Sequence, residues 1–516
     1  MGVVDFVNEA LTDFSQPESR EAFAHALAQV DGEIGREYPL VIGGERVTTG
    51  EWIESLNPSA HAQVVGRVAR AGPAEADRAV HAAEKAFEGW SRVPASERAR
   101  VGLRAAAVMR RRRHELSATM VLEVGKSWIE ADADTAEAID FLEFYSRHAA
   151  LLGAPQPLTM LRGTDNELLY LPLGVGLAIP PWNFPLAIAT GLVSSGILAG
   201  NAMVFKPASV APIIAAKIVE VFEEAGLPAG VLNFLPGPGD TVGDRLVADA
   251  RVRFVNFTGS RDVGVHINEL AAKVQPGQKW LKRVVAEMGG KDAIVVDQSA
   301  DLELAASGIV ASAFGFQGQK CSAASRVIAD VHLYDELVER VARRTEALRV
   351  GPAREQSTDV GPVVDRSQYR KVVEYIGIGR GEGRVVAGGE ADDSTGYFVQ
   401  PTVIADAAPD SRIMQEEIFG PLLAMCRASD FDEALAIANG TVYGLTGGVY
   451  ARDPMKLAQA RRELHVGNLY FNRKITGALV GVEPFGGFNM SGTDSKAGGD
   501  EYLKLFMQAK VISEKL

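Results

Sequence analysis

Cysteine is nearly missing from this 516-residue chain, which holds only Cys321 and Cys426. Two cysteines far apart in sequence give no disulfide framework and no paired metal spacing. The eight histidines are scattered and none sits beside either cysteine, so no metal site is expected. Such usage suits a reducing compartment, and the expected location is the cytoplasm. Positive charge is also short. Lys and Arg number 53 against 66 Asp and Glu, and the formal net charge of −13 argues against nucleic acid or an anionic membrane as main partner. The one basic block, "RRRRH" at Arg110 to His114, lies in a helical stretch without interleaved aromatics and reads as a solvated or inter-subunit face.

A clean membrane span is absent as well. Leu168 to Phe205 carries no charge, but Pro172, Pro180, Pro181 and Pro185 interrupt its first half. It reads as a strand ending at a Pro-rich turn, then a buried helix over about 186–198. The opening "MGVVDFVNEALTDF" carries Asp5, Glu9 and Asp13, which fits neither a secretory signal nor an Arg-rich transit peptide. Phe6 removes the myristoylation pattern that Gly2 would begin.

What is present is the rhythm of an α/β protein too long for one core. Residues 1–36 read as an acidic helical extension. "YPLVIGGERVTTGEW" alternates around Gly43-Gly44 as a hairpin. Residues 73–148 are helical. After Leu177, short apolar strands ("AMVFKP", "VLNFLP", "VRFVNFTGS") alternate with helices, which implies parallel βαβ units, and a second such series runs from Lys291 to about Val466. Two α/β domains with a cleft between them are expected. Edge strands at 155–172 and the C-terminus are left for exchange between subunits of a homo-oligomer, at least a dimer.

Cys321 stands in "GFQGQKCSAASR" behind Gln317, Gly318, Gln319 and Lys320, which look poorly suited to a hydrophobic core, whereas Cys426 is embedded in apolar "PLLAMCRAS". A free thiol has a pKa of about 8.5. A helix N-terminus, the Lys320 cation, a bound nicotinamide or a carboxylate base would each raise its reactivity. Glu287 leaves an apolar strand in "VVAEMGGKDAIVV" and is either a solvated strand end or a base with a raised pKa. Asn183 in "PPWNFP" is either a turn residue or half of an oxyanion hole. "PGPGDTVG" and "FTGSRDVG" are Gly-rich strand-to-helix turns at successive strand ends, suited to a pyrophosphate. Lys206 in "VFKPAS" is either a surface charge or a ribose ligand.

In this order, "PWNFP", "KPAS", "PGPGDTVG", "FTGS", "EMGGK", "GQKCSA", "EEIFGP" and "PFGGFNMSG" resemble the aldehyde dehydrogenase superfamily from about residue 37 to 516. The resemblance implies a Rossmann-type cofactor domain (37–154 and 173–288), a catalytic α/β domain (289–488) and oligomerisation strands (155–172 and 489–516). It makes Cys321 the nucleophile, Glu287 the base that activates water and Asn183 the oxyanion donor with the Cys321 N–H. Lys206 would hold the adenosine ribose, Ser260 the pyrophosphate and Glu417 the nicotinamide ribose, with Phe419 packed against that end. Ile179, Trp182, Ser209, Gly239, Thr258, Gly259, Val263 and Met288 complete the implied NAD contacts. Many NAD-preferring members have Glu where Ser209 stands, so NADP is possible too.

The stretch "GNLYFNRKITGALVGVEPFGGF" looks like the substrate loop of the Δ1-pyrroline-5-carboxylate dehydrogenase branch, which oxidises L-glutamate γ-semialdehyde in proline degradation. That likeness implies that Gly477, Ala478 and Ser322 grip the substrate α-carboxylate, that Phe184 and Phe485 flank its aliphatic chain, and that Glu137 lies near its amine. The small side chains of "TGAL" leave accessible N–H groups for such an anion. Retention of Glu287 argues against a thiol-accepting acylating enzyme, and the length leaves no room for a fused proline dehydrogenase. The rivals are a succinate semialdehyde dehydrogenase, a cysteine hydrolase, which leaves the phosphate-type turns unexplained, and a non-catalytic scaffold.

Overall fold

The computed structural model describes residues 5–516. Two seven-stranded sheets organise it. In the first, Arg283–Glu287, Val252–Thr258, Val175–Ile179, Ala202–Phe205 and Leu232–Phe234 run parallel in that order, and the hairpin Leu40–Ile42 and Glu45–Val47 closes one edge. The hairpin turns at Gly43 and Gly44, whose φ of 64° and 86° are the pair of positive values that a tight two-residue turn requires. Both faces of the sheet are covered: Ala202 and Val204 enter one core, Met203 and Phe205 the other. That double burial is why the central strands Val175–Ile179 and Ala202–Phe205 are apolar on both faces.

The second sheet has the order Arg384–Ala387, Thr402–Ala405, Leu422–Ala428, Arg326–Asp330, Ala293–Val296, Thr446–Tyr450 and Asn468–Phe471, parallel except at its first pair. Cys426 is buried in its apolar core. In the first sheet the winding reverses beside Val175–Ile179. Ala202–Phe205 and Leu232–Phe234 lie on one side of it, Val252–Thr258 and Arg283–Glu287 on the other. Ligands bind beyond the carboxyl ends of strands at such a reversal. The turn "PPWNFP", the turn "FTGS" and Glu287 all stand there.

Three expectations need correction. The helical extension over 1–36 contains only the helix Pro17–Asp31. Residues 5–16 form an irregular arm whose polar groups bond to the helix Trp128–Leu152, and residues 1–4 lie outside the described residues. The strand expected over 155–172 begins only at Thr164, since Pro155 and Pro157 cannot donate to a ladder. It pairs along its length with Met507–Lys515, so the two expected edge strands form one ribbon with each other and keep one open edge apiece. Finally, the basic block is not wholly solvated: Arg110 and Arg111 are exposed, whereas Arg112 and Arg113 are largely buried, and all four are ion-paired within the chain. Arg110 pairs with Glu9 and Glu143, Arg111 with Glu224, Arg112 with Glu115 and Glu220, and Arg113 with Asp132. Acidic residues distant in sequence meet these arginines inside the chain, which periodicity alone cannot show.

Candidate active site

Cys321 follows a short helical turn, Gly315–Gly318, in which Phe316, Gln317 and Gly318 take φ of 46°, 57° and 66°. A non-glycine residue held there costs about 1–3 kcal/mol. Buried amides hold the strain. Gln317 Nε2 donates to the carbonyls of Gly125 (2.9 Å) and Pro362 (2.7 Å), and Gln319 Oε1 accepts from the Val364 N–H at 3.0 Å. Both glutamines are at most 1% exposed, contrary to the expectation that they suit a core poorly. Backbone groups match the Gln317 Nε2 and Gln319 Oε1 ends, while Gln317 Oε1 and Gln319 Nε2 have no protein partner among the described residues.

The expected activators of the thiol are only partly there. No helix begins at Cys321, and the Lys320 ammonium is engaged by Glu130 at 2.7 Å. Burial, and then the carboxylates of Asp292, Glu287, Glu417 and Glu137, push the Cys321 thiol well above its ordinary range. Its backbone N–H has no protein acceptor among the described residues. The Asn183 side chain, buried beside it, donates to the Gln319 carbonyl at 3.0 Å, which fixes the amide and leaves its second N–H unspent.

Two cavities meet at the sulfur, with Cys321, Thr258 and Met288 lining both. The outer one, of about 960 Å³, lies at the reversal of the first sheet. Trp182, Gly259, Ser260, Val263, Glu417 and Phe419 line it, as expected for cofactor contacts, and Trp182 meets Phe419 edge-on at 5.4 Å between ring centres. Glu417 Oε1 accepts the Gly290 N–H at 3.1 Å, and a Cβ on Gly289 would overlap its carboxylate. The glycine pair therefore clears room for that acid. Ile179, Lys206, Ser209 and Gly239 line neither cavity; Ser209 and Gly239 are exposed, and Ser209 directly follows Ala208, which does line the outer one. Lys206 is buried with its ammonium only 3.4 Å from the Pro207 carbonyl, and burial pulls it down to about 8. A buried cation this short of partners fits the hydroxyls of a ribose.

The inner cavity, of about 880 Å³, holds the expected substrate residues Glu137, Phe184, Ser322, Gly477, Ala478 and Phe485 together with Glu287. Among the described residues the Gly477 and Ala478 N–H groups and the Ser322 hydroxyl have no protein partner. Gly477 has φ of 79°, which lets the two amides turn into the cavity. Glu137, a helical acid of the kind usually solvated, sits instead in the cavity wall, where burial pushes it up to about 8. Glu287 is raised to about 8 as well, again chiefly by burial; its Oε1 accepts the Ser495 hydroxyl at 2.5 Å and its Oε2 the Gly487 N–H at 3.2 Å. The solvated reading of Glu287 is thereby overturned.

Ser495, Phe141, Tyr145 and Glu483 belong to this site and escaped the sequence reading. Ser495 lies just past the last motif read. Phe141 and Tyr145 repeat at helical spacing with Glu137, a pattern indistinguishable from ordinary core packing. Lys126 escaped too: fully buried, it pairs with Asp134 at 2.8 Å and sits over the face of Phe184, 4.0 Å from the ring centre.

A model of the aldehyde dehydrogenase family matches residues 46–512. The chain is 59% identical over 512 residues, 99% of each protein, to the 1-pyrroline-5-carboxylate dehydrogenase of Geobacillus thermodenitrificans. A solved structure of the 1-pyrroline-5-carboxylate dehydrogenase from Thermus with bound NAD superposes with a TM-score of 0.98 at 55% identity, covering 100% of both chains. Proline utilization A from Bdellovibrio bacteriovorus also superposes at 0.98, with 43% identity over 99% of this chain and 53% of that one.

Proposed function

This chain belongs to the aldehyde dehydrogenase family, and from that premise we propose that it oxidises L-glutamate γ-semialdehyde, the open form of Δ1-pyrroline-5-carboxylate, to L-glutamate with NAD in proline degradation. One observation carries the choice of substrate: the cavity beside Cys321 ends in two partnerless amides and a hydroxyl, with a carboxyl group in its wall. An α-amino acid needs both features, the amides for its carboxylate and Glu137 for its ammonium. Succinate semialdehyde would leave Glu137 buried without a counter-ion.

The reaction follows from the chain's own groups. The Cys321 sulfur attacks the aldehyde carbon, and the oxygen gathers negative charge between the Asn183 amide and the Cys321 N–H. Bound NAD supplies the acceptor for the hydride that leaves this tetrahedral centre, and its positive ring favours the thiolate. Collapse gives a thioester on Cys321. Glu287 takes a proton from water as the oxygen attacks that thioester, and release of glutamate restores the thiol. Ser495 and Gly487 keep the Glu287 carboxylate aimed while it exchanges protons. Thr258, Ser260, Glu417 and Lys206 would hold the cofactor along the crevice of the first sheet, while the second sheet presents the nucleophile and the substrate loop. A working thiol needs reducing surroundings, which supports the cytoplasm. The two-stranded ribbon of Thr164–Pro172 and Met507–Lys515, with the outer edge of each strand open, supports assembly into at least a dimer.

A panel of ω-semialdehydes and plain aldehydes, assayed with NAD and NADP, tests the substrate assignment: glutamate semialdehyde should show the highest kcat/KM, and preference for succinate semialdehyde overturns it. Within that panel Glu137→Gln should raise KM for glutamate semialdehyde about tenfold and leave propanal unchanged. The same variant has a stability signature. Since folding raises Glu137 from the usual carboxylate range to about 8, the folded ligand-free protein binds an extra proton across that window and loses stability as pH rises through it. Glu137→Gln should flatten this decline in thermal unfolding between about pH 5 and 8. For the cofactor, Ser209→Glu should lower use of NADP relative to NAD about tenfold or more by placing a carboxylate against the 2′-phosphate. An unchanged ratio of kcat/KM for the two cofactors would mean that Ser209 does not face the adenosine ribose.

A further inference from the structure

The arm of residues 5–16 touches neither cavity, yet it bonds to both elements that build the inner one. Asn8 Nδ2 donates one hydrogen to Asp140 Oδ2 at 2.9 Å and the other to the Val480 carbonyl at 2.9 Å. Asp140 lies on the helix Trp128–Leu152, which carries Glu137, Phe141 and Tyr145 into the cavity; Val480 lies on the loop that carries Gly477 and Ala478. A single amide nitrogen thus joins the carboxyl-bearing wall to the amide-bearing wall from behind.

The rest of the arm fixes Asn8 in place. The Glu9 N–H donates to Asp140 Oδ1 at 2.7 Å, and Thr12 donates its N–H (2.7 Å) and hydroxyl (2.6 Å) to Asp132, two turns earlier on the same helix. Arg113 closes on Asp132 from the other side at 2.6 and 2.7 Å, and Arg110 on Glu9 at 2.7 Å. Phe6 packs edge-on against Phe144 at 5.2 Å over Gly481, where φ is 76° and a Cβ would stand 3.1 Å from the Phe6 ring. On an α-helix, Asp132, Asp140 and Phe144 fall on a face adjacent to that of Glu137, Phe141 and Tyr145. The arm covers the first face while the cavity uses the second.

We propose that this arm is a strap that sets the spacing between the amides of Gly477 and Ala478 and the carboxyl group of Glu137, with Asn8 as the positioning residue, and that it thereby selects aldehydes bearing both an α-carboxylate and an α-ammonium. The inference rests on the substrate reading above, because those two groups are what the spacing measures. An aldehyde lacking them depends on Cys321, Asn183, Glu287 and the apolar walls at Phe184 and Phe485, none of which the arm bonds to.

The test compares the wild-type enzyme with Asn8→Ala and with a form lacking residues 1–12, each confirmed folded by its thermal transition and NAD binding. Glutamate semialdehyde and propanal are the substrates. In both variants kcat/KM for the semialdehyde should fall about 10- to 100-fold, through KM, while propanal changes less than about twofold. Asn8→Gln, which keeps the amide, should recover part of the loss. Independently of any substrate, hydrogen exchange at the hydrogen-bonded amides of Leu479, Gly481 and Val482 should quicken about tenfold in Asn8→Ala, since the carbonyl that anchors the loop is released. Equal losses for both substrates would make the arm a mere stabiliser. Unchanged selectivity, or unchanged exchange in the loop, overturns the proposal. Failure of the substrate reading would appear separately, in the wild type's own preference within the panel.

Discussion

Cys321→Ala should lower dehydrogenase turnover by about 10⁴-fold or more and leave NAD affinity within about twofold of the wild type. The asymmetry comes from where the sulfur lies. It borders both cavities, so on the proposed reading it would meet the aldehyde from one and the nicotinamide end of the cofactor from the other, while the groups that would hold the rest of the cofactor stand on the first sheet. Removing one small side chain empties the point of attack and leaves those contacts whole. Titration of the variant with NAD, followed by protein fluorescence, checks the binding half. Residual turnover within tenfold of the wild type would mean that the reaction proceeds without a covalent intermediate on this residue. The wild-type thiol itself should be a slow target for iodoacetamide at neutral pH in the absence of cofactor, because burial keeps it protonated.

Glu287→Gln should separate the two halves of the reaction. The amide replaces the carboxylate with the same shape and still accepts from the Gly487 N–H, so the fold around Ser495 is preserved. It no longer takes a proton from water, and hydrolysis of the thioester should slow by about 10²–10⁴-fold. The expected result is a burst of about one NADH per active site followed by slow turnover, with the acyl group retained on Cys321 and visible in the intact mass. Absence of both burst and adduct would remove Glu287 from deacylation. The pH dependence carries the same information. Glu287 is held up to about 8, so in the free enzyme it is largely protonated at pH 7 and becomes a competent base as pH rises. Where deacylation limits the rate, wild-type turnover should climb through about pH 8, and the variant should lose that climb.

Much of the architecture is written locally. The Gly43-Gly44 hairpin needs only two residues with positive φ between alternating strands, and the parallel sheets follow from short apolar strands alternating with helices. The helix Ala187–Leu198 is legible because its charge-free run is punctuated by prolines only on its N-terminal side. The Cys321, Glu287 and Asn183 constellation is legible because each stands in a short ordered motif beside glycine, proline or another amide. Other features stay hidden for a common reason: their meaning depends on what lies opposite them. Gln317 and Gln319 look like surface residues until the carbonyls of Gly125 and Pro362 and the N–H of Val364 appear against their amides. The four arginines from Arg110 look solvated until Glu9, Glu115, Glu220, Glu224 and Asp132 close on them. Lys320 looks like a cation for the thiol until Glu130 takes it.

The amino-acid order by itself determined the α/β class, the family, and the short motifs in which Cys321, Glu287, Asn183 and the small-residue loop at Gly477 stand. These depend on backbone preference and on chemistry carried within a few neighbouring positions. Only the tertiary structure decided which charges are partnered, how far burial moves the acids and the thiol, that Ser495 steadies Glu287, and that residues 5–16 tie Asp140 to Val480. Hydrogen bonds and ion pairs act over about 3 Å, and burial is a property of everything packed around a group, so contacts between segments hundreds of residues apart leave no local trace in either partner.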